Sequence, residues 1–203
     1  MAANSMAGAH STPMPVQRLS ASARRAYLAH LITLEDRDVR LRFGSRVPSS
    51  SIERYVEAID FDRDALFGVH DEALRLVGAA HLAFGGDLAE LGLSVLAGAR
   101  RQGVGAALIR RASEYARNRS KRRLFMHCLA ENAAMTRLAR RAGMDVAIES
   151  GDADAFLVLP RATPLSVTSE FFAERLALYD YALKTHVKTW RRVGVAMATG
   201  APL

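Results

Sequence analysis

The chain has 203 residues, of which half are hydrophobic and 24% charged, with a formal charge of +7. That length predicts one domain with extensions at its ends, and the composition excludes wholesale disorder. No apolar run approaches the ~20 residues that cross a bilayer. The single cysteine, Cys128, excludes an internal disulfide and a cysteine-rich metal site. A cytoplasmic setting and no metal are therefore expected.

Residues 1–21 read as a disordered tail without the continuous apolar stretch of a secretory signal. Residues 22–160 read as the folded domain and residues 161–203 as a helical extension. Within the domain, residues 22–34 suit a short helix. Val39-Arg40-Leu41-Arg42-Phe43 alternates as an edge strand would. Pro48 and Ser49 to Ser51 offer caps to a helix in which Ile52, Tyr55, Val56 and Ile59 fall on one face.

Three strands are expected next, at residues 65–69, 74–84 and 88–96. Asp71-Glu72 and Gly85-Gly86-Asp87 supply the turns of an antiparallel meander. The period then changes. Val104, Leu108, Ala112 and Tyr115 mark one buried stripe of a helix with an arginine-rich outer face. Residues 124–129 are apolar on both faces, which predicts a strand covered on both sides. A helix over residues 131–142 follows, with Gly143 at its end. Strands at 145–149 and 155–159 then close the domain before Pro160. Beyond it, Phe171, Phe172, Leu176, Tyr179, Leu183, Val187 and Trp190 form a stripe along a long helix. That stripe is expected to pack back on the domain or to meet a second copy of the chain.

The charge is concentrated. From Arg100 to Arg123, Arg110, Arg111, Arg117, Arg119, Lys121 and Arg122 join Arg101 against the lone acid Glu114. Such a run is either a solvated helix face or the attractor of a polyanion, a nucleic acid or a phosphorylated cofactor.

The chemistry-bearing segment is the strand Leu91-Gly92-Leu93-Ser94-Val95-Leu96 with the turn Arg100-Arg101-Gln102-Gly103-Val104-Gly105-Ala106 after it. A helix opens at this turn, so several N–H groups lack intrahelical acceptors and the helix dipole adds positive character. Glycine at 103 and 105 permits close approach, and the arginines add fixed charge, so a pyrophosphate is the fitting ligand. The Gly-x-x-x-x-Gly-Lys-Ser/Thr pattern of a P-loop is missing, as are the third glycine and acidic residue of a dinucleotide fingerprint.

The turn resembles the signature of the GNAT-type N-acetyltransferases, Arg/Gln-x-x-Gly-x-Gly/Ala between the fourth strand and the next helix. Arg100-Arg101-Gln102-Gly103-Val104-Gly105 matches each fixed position. A second block of that family is similar to residues 132–144, where Asn132, Leu138, Arg141 and Gly143 fall in register. The order of elements agrees from residue 39 to residue 159.

The resemblance implies a mixed α/β fold with a mostly antiparallel central sheet. It implies acetyl-CoA as cosubstrate and acetyl transfer to a primary amine, either a small molecule or a protein lysine. Its fourth and fifth strands would splay to admit the cofactor. Leu93, Ser94 and Val95 would offer backbone groups to the pantetheine arm. Arg100 to Ala106 would hold the pyrophosphate, with Asn132 and Met135 lining the far side. Glu90 is the implied general base, its pKa raised by burial.

The tyrosine that often serves as acid in the family is replaced by Ala139, which leaves that role open among water, Cys128, His127 and His81. Substrate choice would fall to residues 42–64 and 149–154. Within the first of these, Arg42-Phe43 and the acidic stretch Asp60 to Asp64 are similar to bacterial protein-lysine acetyltransferases. The basic helix and the missing tyrosine also fit a non-catalytic acetyl-CoA sensor, or a module that contacts nucleic acid without a recognisable reading motif.

Overall fold

The computed structural model describes the backbone of residues 14–199 and the side chains of residues 14–185. Seven strands form one sheet in the order β1-β2-β3-β4-β5-β7-β6. They are β1 (Gln17–Leu19), β2 (Ala65–His70), β3 (Leu76–Gly85), β4 (Leu88–Val95), β5 (Arg123–Leu129), β6 (Asp145–Glu149) and β7 (Asp152–Val158). Every neighbouring pair is antiparallel except β4 and β5, which run parallel.

The period-2 rule divides the two faces. On β2, Phe67 and Val69 join one apolar cluster with Ala80, Leu82, Leu91 and Leu93, while Leu66 points to the other with Ala79. The first cluster is capped by α4 (Val104–Asn118), whose Val104, Leu108, Ala112 and Tyr115 are all buried as the stripe predicts. The second is covered by α1 (Arg24–Ile32), α2 (Asp36–Phe43) and α3 (Ser49–Glu57) through Tyr27, Leu31, Val39, Ile52 and Val56. A further helix, α5 (Ala133–Arg141), follows β5 and ends at Gly143 with φ +82°. The long α6 (Pro164–Thr199) leans on α4 and β1.

Four expectations need correction. Residues 39–43 belong to helix α2, because Asp36 and Asp38 in its first turn and Arg40 and Arg42 in its last complement the dipole, and Gly44 at φ +76° stops it. Five alternating residues satisfy either period. Within the segment read as tail, Gln17–Leu19 forms β1 against β2; residues 1–13 lie outside the described part. Strand β5 is fully covered on one face only. Leu124, Met126 and Cys128 are buried there, whereas on the other face Phe125 and Leu129 are half-buried and His127 is exposed, since of the three helices on that side α2 reaches only part of the strand.

The fourth correction concerns only the expectation that the α6 stripe packs back on the domain, since the helix turns its polar and small side inward. Ser166, Glu170 and Ala177 are buried, whereas Phe171, Phe172, Leu176, Tyr179 and Leu183 are exposed; Val187 and Trp190 lie beyond the described side chains. The cause sits on α4. Arg111 is only 4% exposed there, between the rings of Phe67 and Tyr115, and the carboxylates of Glu170 and Glu174 approach it at 3.6 and 3.8 Å. A buried cation requires opposite charge nearby, so the glutamate side of α6 faces in. Glu170 also accepts from Arg119 at 3.0 Å. Part of the predicted basic face is thus consumed in docking a helix.

Candidate active site

Strands β4 and β5 pair only from Leu88↔Arg123 to Glu90↔Phe125, and then part. Past that point β4 continues to Val95 and β5 to Leu129 without pairing to each other, which leaves one edge of β4 free. The gap opens into a cleft of about 1310 Å³ walled by α2, β4, α4 and α5. Of the sequence-derived residues, Leu93, Ser94, Val95, Arg100, Arg101, Gly103, Val104, Gly105, Ala106, Asn132 and Met135 line it. Gln102 and Glu90 do not belong to that wall.

At the mouth the chain makes a tight turn, with Arg101 at φ +61° and Gly103 at φ +84°. The second value favours glycine, and a Cβ at Gly103 would meet nothing within 4 Å, so the turn is open on the ligand side. No side chain caps α4. The N–H groups of its first residues, Val104 to Ala106, therefore face the cleft without intrahelical acceptors. Gly105 has a different reason to be glycine: a Cβ there would come 2.8 Å from Leu138 Cδ2 of α5. It sets the helix–helix approach rather than the space for a phosphate.

Gln102 folds back, donating from Nε2 to the Gly98 carbonyl at 2.9 Å, and so holds the turn from behind. Arg100 donates from Nε to the Val95 carbonyl at 3.1 Å and pairs with Asp38 of α2. Arg40 of the same helix pairs with Glu131, next to α5. Two ion pairs thus strap α2 across the cleft. Arg101, by contrast, is exposed. Asn132 accepts from the Met135 N–H at 3.1 Å, so its buried side chain is the cap of α5. Arginines outnumber acids along the cleft wall by eight to four, which suits a multiply phosphorylated ligand.

Glu90 stands at the last paired position of β4, where the strands part, on the α1–α3 face. It is exposed rather than buried as the sequence reading required. Cys128 is buried, and desolvation pushes its thiol up, so it behaves as a small apolar group. His127 is exposed on β5 and bonds Asp154 at 2.7 Å, outside the cleft wall. Ala139 is sealed in the core.

His81 is the member of that group with a developed environment. Its Nδ1 meets the Tyr55 hydroxyl at 2.7 Å and its Nε2 meets Asp64 Oδ2 at 3.0 Å. Burial lowers its pKa, with Asp64 acting in opposition. Arg42 Nη2 donates to the same Tyr55 hydroxyl at 2.9 Å. Burial works against the Arg42 charge, yet Tyr55 and Tyr27 hold its guanidinium above the ordinary value, while burial pushes the Tyr27 phenol up. On the same face, His30 clamps α1 to the sheet. Its Nδ1 meets the Leu76 carbonyl at 2.8 Å and its Nε2 the Ser94 hydroxyl at 2.9 Å.

Sequence reading placed Arg42 and Asp64 in the acceptor segment and Tyr55 in a helix stripe, but gave no sign that they join His81. The available signal was a tyrosine on an apolar helix face, whose hydroxyl must find a partner when buried.

A sheet parted between a parallel strand pair, with an uncapped helix N-terminus at the opening, is the arrangement of an acyltransferase cleft. The model of the acetyltransferase (GNAT) family matches residues 30–144, more than half of the chain, and the protein belongs to that family. Among solved structures, the GNAT domain of S. lividans PAT is similar at 19% identity and a TM-score of 0.62, covering 71% of this chain and 89% of that one. Ribosomal-protein-alanine N-acetyltransferase from Brucella melitensis is 21% identical with a TM-score of 0.54, covering 71% and 99%. Spermidine N-acetyltransferase from Vibrio cholerae, in complex with CoA and spermine, is 16% identical with a TM-score of 0.55, covering 70% and 94%. These likenesses show the fold. No curated protein matches the sequence. Among the described residues, no helix is long and apolar enough to cross a membrane, and no cluster of side chains could hold a metal ion.

Proposed function

We propose that the chain transfers an acetyl group from acetyl-CoA to a primary amine, carried by a small molecule or a protein lysine, with Glu90 as general base. The observation that carries the reading is the free edge of β4 leading to the uncapped N-terminus of α4 within one cleft. The pyrophosphate would rest on the N–H groups of Val104 to Ala106, with Arg101 beside it. The pantetheine arm would run along Leu93 to Val95 like an added strand, with Asn132 and Met135 opposite.

The amine nitrogen then attacks the thioester carbonyl carbon. A C–N bond forms, the C–S bond breaks, and its electron pair leaves on sulfur. The proton lost by nitrogen passes to the Glu90 carboxylate, directly or through water, and water protonates the thiolate. Position supports the role of Glu90, since it stands where the strands part. Replacing Glu90 by Gln is expected to lower kcat roughly 100-fold or more, the scale of general-base catalysis, with acetyl-CoA affinity retained. Full activity in that variant removes Glu90 from the role.

The acidic stretch carries less of the acceptor reading than the sequence suggested. Asp60 accepts from the Asp62 N–H at 3.0 Å, and Asp64 is engaged by His81. Self-association is a separate part of the proposal. The exposed stripe of Phe171, Phe172, Leu176, Tyr179 and Leu183 is apolar along several turns, and a second copy of the same helix would cover it symmetrically. Sedimentation should report a dimer that Phe172→Glu with Leu176→Glu dissociates; a monomeric wild type ends that idea.

A further inference from the structure

Arg42 of α2, Tyr55 of α3, Asp64 ahead of β2 and His81 of β3 form one hydrogen-bonded chain on the α1–α3 face. An arginine only donates, so the Tyr55 oxygen accepts from Arg42; the Tyr55 proton is assigned to His81 Nδ1, at 2.7 Å a closer partner than the Tyr27 hydroxyl at 3.5 Å. His81 is then neutral and donates from Nε2 to Asp64. Every donor points the same way, and the network's own carboxylate, Asp64, lies three groups from Arg42. Glu90 also faces His81 on this side of the sheet, but among the described residues Arg42 forms no ion pair with a carboxylate, and its hydrogen-bond partner is the neutral Tyr55. The network holds a cation in place without neutralising it.

That cation lines the cleft. Its guanidinium fills the space that a side chain on Gly92 would take, for a Cβ there would collide with it. Side chains two apart on a strand share a face, so Arg42 lies on the same face of β4 as Glu90. The cofactor gives it no partner there. The charges of acetyl-CoA are all on its phosphates, which in the reading above sit at the α4 end, and a neutral arm separates them from the thioester. The thioester itself would follow the free edge of β4, whereas Arg42 lies against the face. Apart from the protein's own Glu90, an anion meeting Arg42 would therefore arrive with the acceptor.

We propose that Arg42 is a subsite for a carboxylate on the acceptor, so that the substrate is an amine bearing a carboxylate close to the reacting nitrogen, as an α-amino acid does. Glu90 and Gly92 stand roughly 6.6 Å apart along the strand. An ammonium facing Glu90 and a carboxylate on Arg42, each bonded at about 2.8 Å, span that interval within one small zwitterion. Tyr55, His81 and Asp64 are positioning residues for the guanidinium. The inference rests on the acetyl-CoA reading of the cleft.

The test measures CoA release from acetyl-CoA with the twenty L-amino acids, each beside its α-carboxamide. At least one acid should exceed its carboxamide in kcat/KM by roughly 10- to 100-fold, the worth of a charged hydrogen-bonded contact. Arg42→Gln should erase that preference by raising KM for the acid, and Arg42→Lys, which keeps the charge but loses the fork, should keep part of it. Calorimetric titration of the preferred acid into CoA-saturated protein should show binding that Arg42→Gln loses. Three results overturn the proposal: no acid preferred over its carboxamide, a lysine-containing peptide preferred and indifferent to Arg42→Gln, or Arg42→Gln lowering kcat equally for both members of a pair. Acetyl-CoA binding measured on the same protein separates the two readings. Tight binding with no preference for a carboxylate removes only the subsite, and no binding removes both.

Discussion

A glutamate at Ala106 should separate helix stability from cofactor binding. Ala106 is the third residue of α4, exposed and in the cleft wall. A carboxylate in the first turn of a helix favours the fold by about 0.3–1 kcal/mol. The same charge about 5 Å from a bound phosphate costs about 1 kcal/mol in a water-like medium and about 3 kcal/mol at an effective dielectric of about 20. Ala106→Glu should therefore raise the dissociation constant of acetyl-CoA roughly 5- to 150-fold while Tm holds or rises. Ala106→Gln, of equal size, should bind much nearer to wild type. Equilibrium binding at low and moderate salt, with a thermal melt of each variant, provides the comparison. Unchanged affinity in Ala106→Glu would refute the placing of the phosphates at this helix.

Two further outcomes follow from the buried charges. His30 and His81 are both held below the ordinary histidine value, chiefly by burial. The folded state therefore binds fewer protons than the unfolded one, so stability is full above pH 6.5 and falls as pH drops from 6.5 through the lowered folded values. Chemical denaturation at pH 7.5 and 5.5 should show this, with a shallower fall in His81→Asn; a gain on acidification would contradict it. Removing Glu170 leaves Arg111 buried with only Glu174 near it, so Glu170→Ala should destabilise by about 3 kcal/mol in a urea titration. A loss below about 0.5 kcal/mol, the scale of an ordinary surface substitution, would mean that α6 does not depend on that contact.

The legible parts of the fold are those with a sustained period. The meander of β2 to β4, the stripe of α4 and the Gly103 turn each carry a local pattern that tertiary contacts reinforce. Segment 39–43 is too short for its period to decide between strand and helix; the charges around it and Gly44 decide. Strand β1 has three residues and exists because β2 offers it an edge. The facing of α6 follows from Arg111, a residue more than fifty positions away, so its own stripe points the wrong way. The same holds for the site. The Gly103 turn is contiguous and its conformation was readable, whereas Arg42, Tyr55, Asp64 and His81 come from four segments and share no spacing that a sequence displays. The place of Glu90 on β4 was readable, but its exposure, contrary to the expected burial, depends on the parting of β4 and β5 and on which helices cover that face.

The central claim is that the parted strands hold acetyl-CoA with its phosphates at the Gly103 turn, and calorimetric titration of acetyl-CoA into the wild-type chain and into Gly103→Trp tests it most directly. The account predicts stoichiometric binding by the wild type that the indole, filling the open side of the turn, abolishes. No binding by the wild type, or equal binding by both, would contradict it.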